Sequence, residues 1–538
     1  MRNAHAVADV RAAEQALMAQ LPPGTLMQRA AAGLAAVCAG LLPRVYGARV
    51  VVLAGSGDNG GDALYAGARL ARRGARVVAI AAGSRLHEGG AAALRAAGGG
   101  VTGPSDPGLP ATMSAADLVL DGLLGIGGRG GLREPMATLA GLADRARMGG
   151  QGPVVVAVDL PSGVDAGTGE VTGAAVQADV TVTFGTWKPG LLIDPGAGHT
   201  GMTELVDIGL RPYLPPASVV AYGAADVARL LPRPARESDK YRRGVLGVVA
   251  GSERFPGAAA LAVGGALRGG AGMVRLVSAE PAVSVVRQHW PEAIVTVTGP
   301  AGSESAGGEI ETAGRVQAWL AGPGMGTDDA ARRRLTDVLA TDLPVLVDAD
   351  GLTLLAQTPA LVTGRTAATL LTPHAGELGR LLGADPADVA ARRLEHARAA
   401  AARFGACVLL KGSTTVIAPP GQDSQVRDSQ DRDGQDRDGQ EPDAESPDAP
   451  GPVLVNPTGT SWLASAGTGD VLSGLAGALL AQGLAVSEAA AAAAYLHGIA
   501  ARYAAGGAGL GRAGEAPIAA SDVIGALPEA IRRVREPH

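Results

Sequence analysis

Lysine is nearly missing from this 538-residue chain: Lys188, Lys240 and Lys411 stand alone in a total of 46 lysines and arginines. Wherever a generic positive charge suffices the chain carries arginine. The remaining lysines are therefore candidates for work that a guanidinium cannot do, as a compact ammonium whose pKa can be tuned. Cysteine is as scarce. Cys38 and Cys407 lie far apart in apolar surroundings, which argues against a disulfide framework and predicts a reducing, cytoplasmic setting. Aromatic residues make up 3% of the chain, so its cores must be built from small aliphatic side chains, as close packing of helices on sheets allows. Long uncharged apolar runs are absent too. The alanine-rich stretch 487–504 is interrupted by Glu488, His497 and Arg502, and no membrane span is expected. The N-terminus carries Asp9 and Glu14 in an amphipathic pattern and shows neither a basic nor an apolar leader region, so no signal peptide is expected.

Charge of one sign is also missing from most of the chain. The formal charge of −6 arises in residues 421–450, where ten acids face three arginines, and the rest of the chain is near +1. No nucleic-acid surface is expected from such a balance. The acidic stretch repeats Asp-Arg-Asp-Gly-Gln and has no aromatic residue. It reads as a disordered, solvated loop inserted into a folded domain.

What is present is a rhythm of short apolar runs ending in glycine-rich turns. Arg49 to Ala54 reads as a buried strand, Gly55 to Asp62 as a tight turn, Ala63 to Arg73 as a helix and Ala75 to Ala81 as a second strand, which together make a βαβ unit. Further strand signals at 118–121, 154–159 and 180–184 predict a Rossmann-like, doubly wound parallel sheet with its loops gathered at the strand C-terminal ends. A proline-rich linker is expected at 216–223. Beyond it, strands at 245–250, 273–278, 293–297, 318–321, 345–348, 368–371 and 407–411 predict a second α/β layer structure with helices on both faces.

Two groups of strings carry chemistry. In the first half, the glycines at 55–61 let backbone approach an anion at a helix start. A second turn runs Asp121-Gly-Leu-Leu-Gly-Ile-Gly-Gly-Arg-Gly-Gly, and a third strand end reads Asp159-Leu-Pro-Ser-Gly. Asp159 and Lys188 are a pair suited to moving protons, and Asn59, Asp121 and Ser162 offer hard oxygen ligands. The plainer alternative is that Asp121 and Asp159 cap the turns that follow them. Over roughly residues 1–215 these strings resemble the NAD(P)H-hydrate epimerase family. The resemblance implies K+ held by Asn59, Asp121 and Ser162, and acid–base work by Asp159, itself in contact with substrate, together with Lys188. It also implies substrate contacts from Asp58, Asn59, Gly60, Gly61 and Asp62, and from Gly125, Ile126, Gly127, Gly128, Arg129, Gly130 and Gly131. Asp58 stands where the family usually has Asn. Its extra negative charge weakens binding of a pyrophosphate-bearing substrate unless the cation or Arg129 offsets it.

In the second half, Ala466-Gly467-Thr468-Gly469-Asp470 opens a helix after a glycine-containing loop, an arrangement able to hold a transferring phosphoryl group. Asp470 could accept the proton of an attacking hydroxyl, or could simply complement the helix dipole. Lys411-Gly-Ser-Thr-Thr, Gly322-Pro-Gly-Met-Gly and Thr372-Pro-His374-Ala-Gly-Glu377 end or follow other strands. The set is similar to the ribokinase-like superfamily and, within it, to the ADP/ATP-dependent NAD(P)H-hydrate dehydratases, over about residues 224–538. This resemblance implies a ribokinase-like α/β sandwich. Ala258, Gly322, His374 and Asp470 would contact the hydrated dinucleotide, and Asp470 would be catalytic. Lys411, Gly412, Ser413, Thr414, Thr415 and Gly469 would contact the adenine nucleotide, with Mg2+ present and ADP favoured over ATP.

The two resemblances in one chain imply repair of hydrated NADH and NADPH, in which one domain interconverts the R and S hydrates and the other dehydrates the S form. They also imply a homo-oligomer. The rival reading is a small-molecule or vitamin-precursor kinase of ribokinase-like fold fused to a non-catalytic nucleotide-binding domain.

Overall fold

The computed structural model describes residues 1–83, 85–128, 130–148, 152–237, 239–299, 308–421, 451–506 and 514–536. Arg129 and, Gly421 apart, the acidic stretch lie outside the described residues. The chain divides into two compact units, Met1–Ala221 with Ala390–Arg393, and Tyr222–Val389 with Leu394–His538. Among the described residues no helix is long and apolar enough to cross a membrane.

The first unit is built on seven parallel strands in the spatial order Gly100–Thr102, Arg76–Ala81, Arg49–Ala54, Leu118–Gly122, Val154–Val158, Val180–Phe184 and Met202–Val206. Parallel strands covered on both faces carry apolar residues at every position, and Arg49–Ala54 shows why. Val50 and Val52 pack with Leu34 and Leu64 on one face, whereas Val51 and Leu53 pack with Met113 and Leu139 on the other. From Arg49–Ala54 the chain winds outward to one edge, then returns to the opposite side at Leu118–Gly122. The crevice outside those two strand ends is the topological switch point where such sheets bind ligands.

The helix after Arg49–Ala54 runs Asp58–Arg72, so of the string expected as a tight turn Gly55 to Gly57 lie before the helix and Asp58 to Asp62 form its first turn. Two adjacent glycines argue against helix by propensity. Close approach decides otherwise: a methyl on Gly60 would lie 2.2 Å from the Gly55 carbonyl oxygen, and Gly61 N donates to Gly57 O at 3.1 Å. Within 216–223, read as a linker, Val219–Ala221 forms a buried strand antiparallel to Arg2–Ala4.

In the second unit the strands lie in the order Val453–Asn456, Thr415–Ala418, Cys407–Leu410, Thr369–Leu371, Val345–Val347, Ala318–Ala321, Val245–Val249, Met273–Ser278 and Ile294–Val297. All seven expected strands are present to within a residue or so. Sequence reading missed Thr415–Ala418 and Val453–Asn456, an antiparallel pair paired through Ile417 and Leu454, because each is four residues long and they bracket the acidic stretch. The remaining pairs are parallel except Cys407–Leu410 with Thr415–Ala418. The switch point falls between Val245–Val249 and Ala318–Ala321, and the turn there is sterically exacting. Gly322 has φ 136°, and a methyl on it would lie 1.8 Å from the Asp348 carbonyl oxygen. Gly322→Ala should therefore cost this unit more than about 3 kcal/mol, strain and backbone clash acting together. Calorimetry would show its transition falling while that of the first unit stays in place.

Candidate active sites

Asp159 follows the strand Val154–Val158 in a left-handed conformation, φ 66°, rare for a side chain other than glycine. Strain of that kind needs over-determination by its surroundings, and the surroundings supply it. The Asp159 N–H bonds Val182 O at 2.8 Å. Its Oδ1 accepts from Lys188 Nζ, from Thr183 Oγ1 at 3.1 Å and from Phe184 N at 3.2 Å. Lys188, 1% exposed, also donates to Thr183 Oγ1 at 2.9 Å and to Phe184 O at 3.0 Å. The pair expected from sequence is thus assembled by two adjacent strand ends.

Asp121, fully buried, accepts Ser162 Oγ at 2.6 Å, Ser162 N at 2.8 Å and Leu123 N at 3.3 Å. Loss of water pushes its carboxyl up to about 6. Ser162 Oγ in turn accepts from Leu124 N at 2.9 Å. A methyl on Gly125 would touch the Asn59 side chain at 3.1 Å, and Asn59 Nδ2 is buried with no hydrogen-bond partner among the described residues. Asp121 and Ser162 thus form one oxygen-rich pair, and Asn59 packs beside the Gly125 turn that follows Asp121. An amide, a carboxylate and a hydroxyl fit a hard monovalent cation, whose charge would favour the ionised form of Asp121.

The crevice also holds groups that sequence reading did not single out. Beside the expected Asp58 and Asp62, a cavity of about 640 Å³ is lined by Glu14, Tyr65, His87 and Phe184, among others. Glu14 and Arg11 both come from the N-terminal helix Val7–Met18, and Arg11 Nη2 lies 3.3 Å from where a Gly127 methyl would sit. Arg11 is thus a cation at the glycine-rich loop, able to offset Asp58. Burial holds the Glu14 carboxyl above the ordinary range, with Asp159 adding to it. Asp62 is pushed well up, first by burial and then by Asp159, Asp58 and Glu14.

In the second unit the expected residues converge on Lys411. It follows the strand Cys407–Leu410, and its Nζ bonds Asp348 Oδ1 at 2.7 Å and lies 3.7 Å from Glu377 Oε2. Burial alone would lower this ammonium, but Asp348 and Glu377 more than offset it and the net shift is upward. A methyl on Gly469 would sit 3.5 Å from Lys411 Nζ, which places the ammonium at the glycine-rich start of the helix Thr468–Ala481. Asp470, in the first turn of that helix, is pushed up to about 7 by burial and then by the charge of Asp348. Ser473, unexposed, donates to Asp348 Oδ2, and His497 Nε2 meets Thr468 O at 2.9 Å. His497 is held down at about 4 by its burial, so at neutral pH it is an uncharged brace.

His374 has a structural task. It caps the helix Ala375–Leu382, its Nδ1 accepting from Gly376 N and Glu377 N while Glu377 Oε2 accepts from His374 N at 2.8 Å. Its side chain is otherwise exposed, with Nε2 3.6 Å from Glu377 Oε1. Ala258, in the helix Pro256–Arg268, faces the Gly322–Gly326 loop, its Cβ 2.8 Å from where a Gly324 methyl would be. Gly412 and Ser413 form the exposed tip of a hairpin, whereas Thr414 and Thr415 are buried.

The NAD(P)H-hydrate dehydratase family model matches residues 246–436 and 446–521, and the model described as YjeF-related protein N-terminus matches residues 23–190. The bifunctional NAD(P)H-hydrate repair enzyme of Mycobacterium leprae is 44% identical over 99% of this chain and 99% of its own. Its counterpart in Mycobacterium tuberculosis is 45% identical over 91% of this chain and 92% of its own. The chain belongs to the family of bifunctional NAD(P)H-hydrate repair enzymes. Among solved structures, the ADP/ATP-dependent NAD(P)H-hydrate dehydratase of Bacillus subtilis, co-crystallised with ATP and Mg2+, is 27% identical, covering 58% of this chain and 97% of its own with a TM-score of 0.45. In this bifunctional repair enzyme, Arg11, Glu14, Asp348 and Ser473 are the side chains near the two clusters that their local sequence did not announce.

Proposed function

We propose that the first unit interconverts the R and S hydrates of NADH and NADPH, and that the second restores the dihydronicotinamide from the S hydrate while ADP is converted to AMP and phosphate. The observation that carries this reading is the end-to-end likeness to a bifunctional relative, 44% identity over 99% of both chains. It favours repair over a kinase with an inert partner domain.

The chemistry of the hydrate explains the need for both sites. In a dihydronicotinamide the ring nitrogen feeds electrons into the neighbouring double bond, so a proton adds to the far carbon and water to the carbon beside nitrogen. That carbon becomes a stereocentre bearing a hydroxyl, a poor leaving group. In the second unit Asp470 would take the hydroxyl proton as the phosphoryl group transfers. The amides opening the helix Thr468–Ala481 and the Lys411 ammonium would hold the phosphoryl oxygens. Expulsion of phosphate by the ring nitrogen and loss of a proton from the adjacent carbon then restore the double bond. Mg2+ would neutralise nucleotide phosphate charge. Asp350, whose Oδ2 takes the Gly326 N–H at 3.0 Å, would offer that ion its other oxygen.

In the first unit Asn59, Asp121 and Ser162 would hold K+, which would supply positive charge beside the substrate. K+ in place of choline should raise the thermal midpoint of the wild-type first unit, by about 2.7 kcal/mol of added stability at a hundredfold excess over Kd. Asn59→Ala should not respond.

A mixture of both NADH hydrates with K+, Mg2+ and either nucleotide tests the whole reading through the return of dihydronicotinamide absorbance. Full recovery with one phosphate released per ring is expected with ADP. Recovery of the S fraction alone removes the epimerase half, and a stable phosphorylated product replaces the dehydratase half with a kinase.

A further inference from the structure

Asp159 is engaged through Oδ1, which takes three donors, Lys188 Nζ among them. Two other acids at the same crevice are not. Half-buried Glu14 makes no hydrogen bond or ion pair among the described residues, and Asp62 Oδ1 is fully buried without a partner. Buried polar groups are ordinarily satisfied, and those that are not call for an explanation. Both line the cavity that reaches Phe184, whose N–H and C=O are bonded to Asp159 and Lys188. Such a concentration of carboxyl groups is a poor place for pyrophosphate, for which Arg11 and the 125–131 amides are the better partners. It suits a group that turns positive. A hydrate that loses its hydroxyl does so, because the ring nitrogen becomes an iminium.

We infer that Glu14 is a second acid–base group of the epimerising site, protonating the departing ring hydroxyl while Asp58 faces the cation that forms. The inference rests on the epimerase reading of this unit. The carbon–oxygen bond breaks, the hydroxyl leaves as water with the proton of Glu14, and the nitrogen lone pair becomes the second bond of C=N. Water then adds to the opposite face and yields its proton to Asp159. In the reverse direction the two groups exchange roles, and protons from solvent reset them. No oxidant, reductant or co-reactant is consumed. Burial, and then the neighbouring charge of Asp159, raise the Glu14 carboxyl and so favour its proton-bearing form.

Inversion is followed with nucleotide left out, so that dehydration is silent, by separating the two epimers in water enriched in oxygen-18. Wild type should take up one solvent oxygen per inversion. Glu14→Gln should lower kcat for inversion about 10²- to 10⁴-fold with KM within threefold, and Glu14→Asp should recover part of the loss. Calorimetry of the same Glu14→Gln chain should leave the first unit's transition at its wild-type temperature and so exclude misfolding. Inversion by Glu14→Gln at the wild-type rate, a loss carried by KM alone, or inversion without oxygen uptake overturns the proposal. If wild type itself does not invert the hydrates, the epimerase reading fails. If Asp159→Asn is inactive while Glu14→Gln is not, that reading stands and the role of Glu14 falls.

Discussion

Replacing Asp470 with asparagine lowers kcat for dehydration about 10²- to 10⁴-fold and leaves KM for the S hydrate within a few-fold, measured as absorbance recovery with ADP. The expected size is that of a lost general base. Asparagine keeps the shape and the helix start but cannot take a proton from the hydroxyl. The wild-type pH profile should carry the same signature. The Asp470 carboxyl is raised to about 7, so the proton-accepting form accumulates as pH rises, and kcat/KM should climb through about pH 7 and then level. The Asp470→Asn residue of activity should show no such bend. Were the pH dependence to survive the substitution unchanged, the base would have to be sought elsewhere, with Glu377 the next carboxylate in reach of Lys411.

Lys188→Met destabilises the first unit by about 3–5 kcal/mol, the cost of leaving one member of a buried ion pair without its partner. With side chains 1% and 10% exposed, neither Lys188 nor Asp159 has water to replace the other. Thr183 Oγ1 and Phe184 N still reach the carboxylate, but both are uncharged donors. For a unit of this size the loss corresponds to a fall in Tm of roughly 10 °C, visible by calorimetry as movement of one transition. Adding Asp159→Asn to Lys188→Met should return part of the stability, since the orphaned charge is gone, but none of the epimerisation. That split separates the structural share of the pair from its chemical share.

The residues that were legible in the sequence share one property: their task is declared by immediate neighbours. Asp159, Ser162, Lys411 and Asp470 each stand at a strand end or helix start among glycines, and glycine at such places reflects close backbone approach. The Gly55 to Asp62 string shows where local reading stops. Its two adjacent glycines speak for a turn, and the contact of Gly60 with the Gly55 carbonyl makes it a helix. Glu14 shows a further limit. On an amphipathic helix an acid reads as part of the solvated face, and nothing within several residues tells that Asp62 and Asp159, far along the chain, will surround it. Asp348 shows the same limit, since its bond to Lys411 and its contact with Ser473 are tertiary facts.

The hairpin of Thr415–Ala418 and Val453–Asn456 has a practical consequence. Its two strands are held in register by Val416 with Val455 and Ile417 with Leu454, so whatever joins Ala418 to Val453 is tethered at two adjacent points. The entropy of closing such a connection grows only with the logarithm of its length, by about 0.6 kcal/mol per doubling. The chain can therefore be shortened or lengthened there at small thermodynamic expense, and a reporter domain or an affinity tag spliced between those strands would leave both catalytic crevices with the backbone that shapes them.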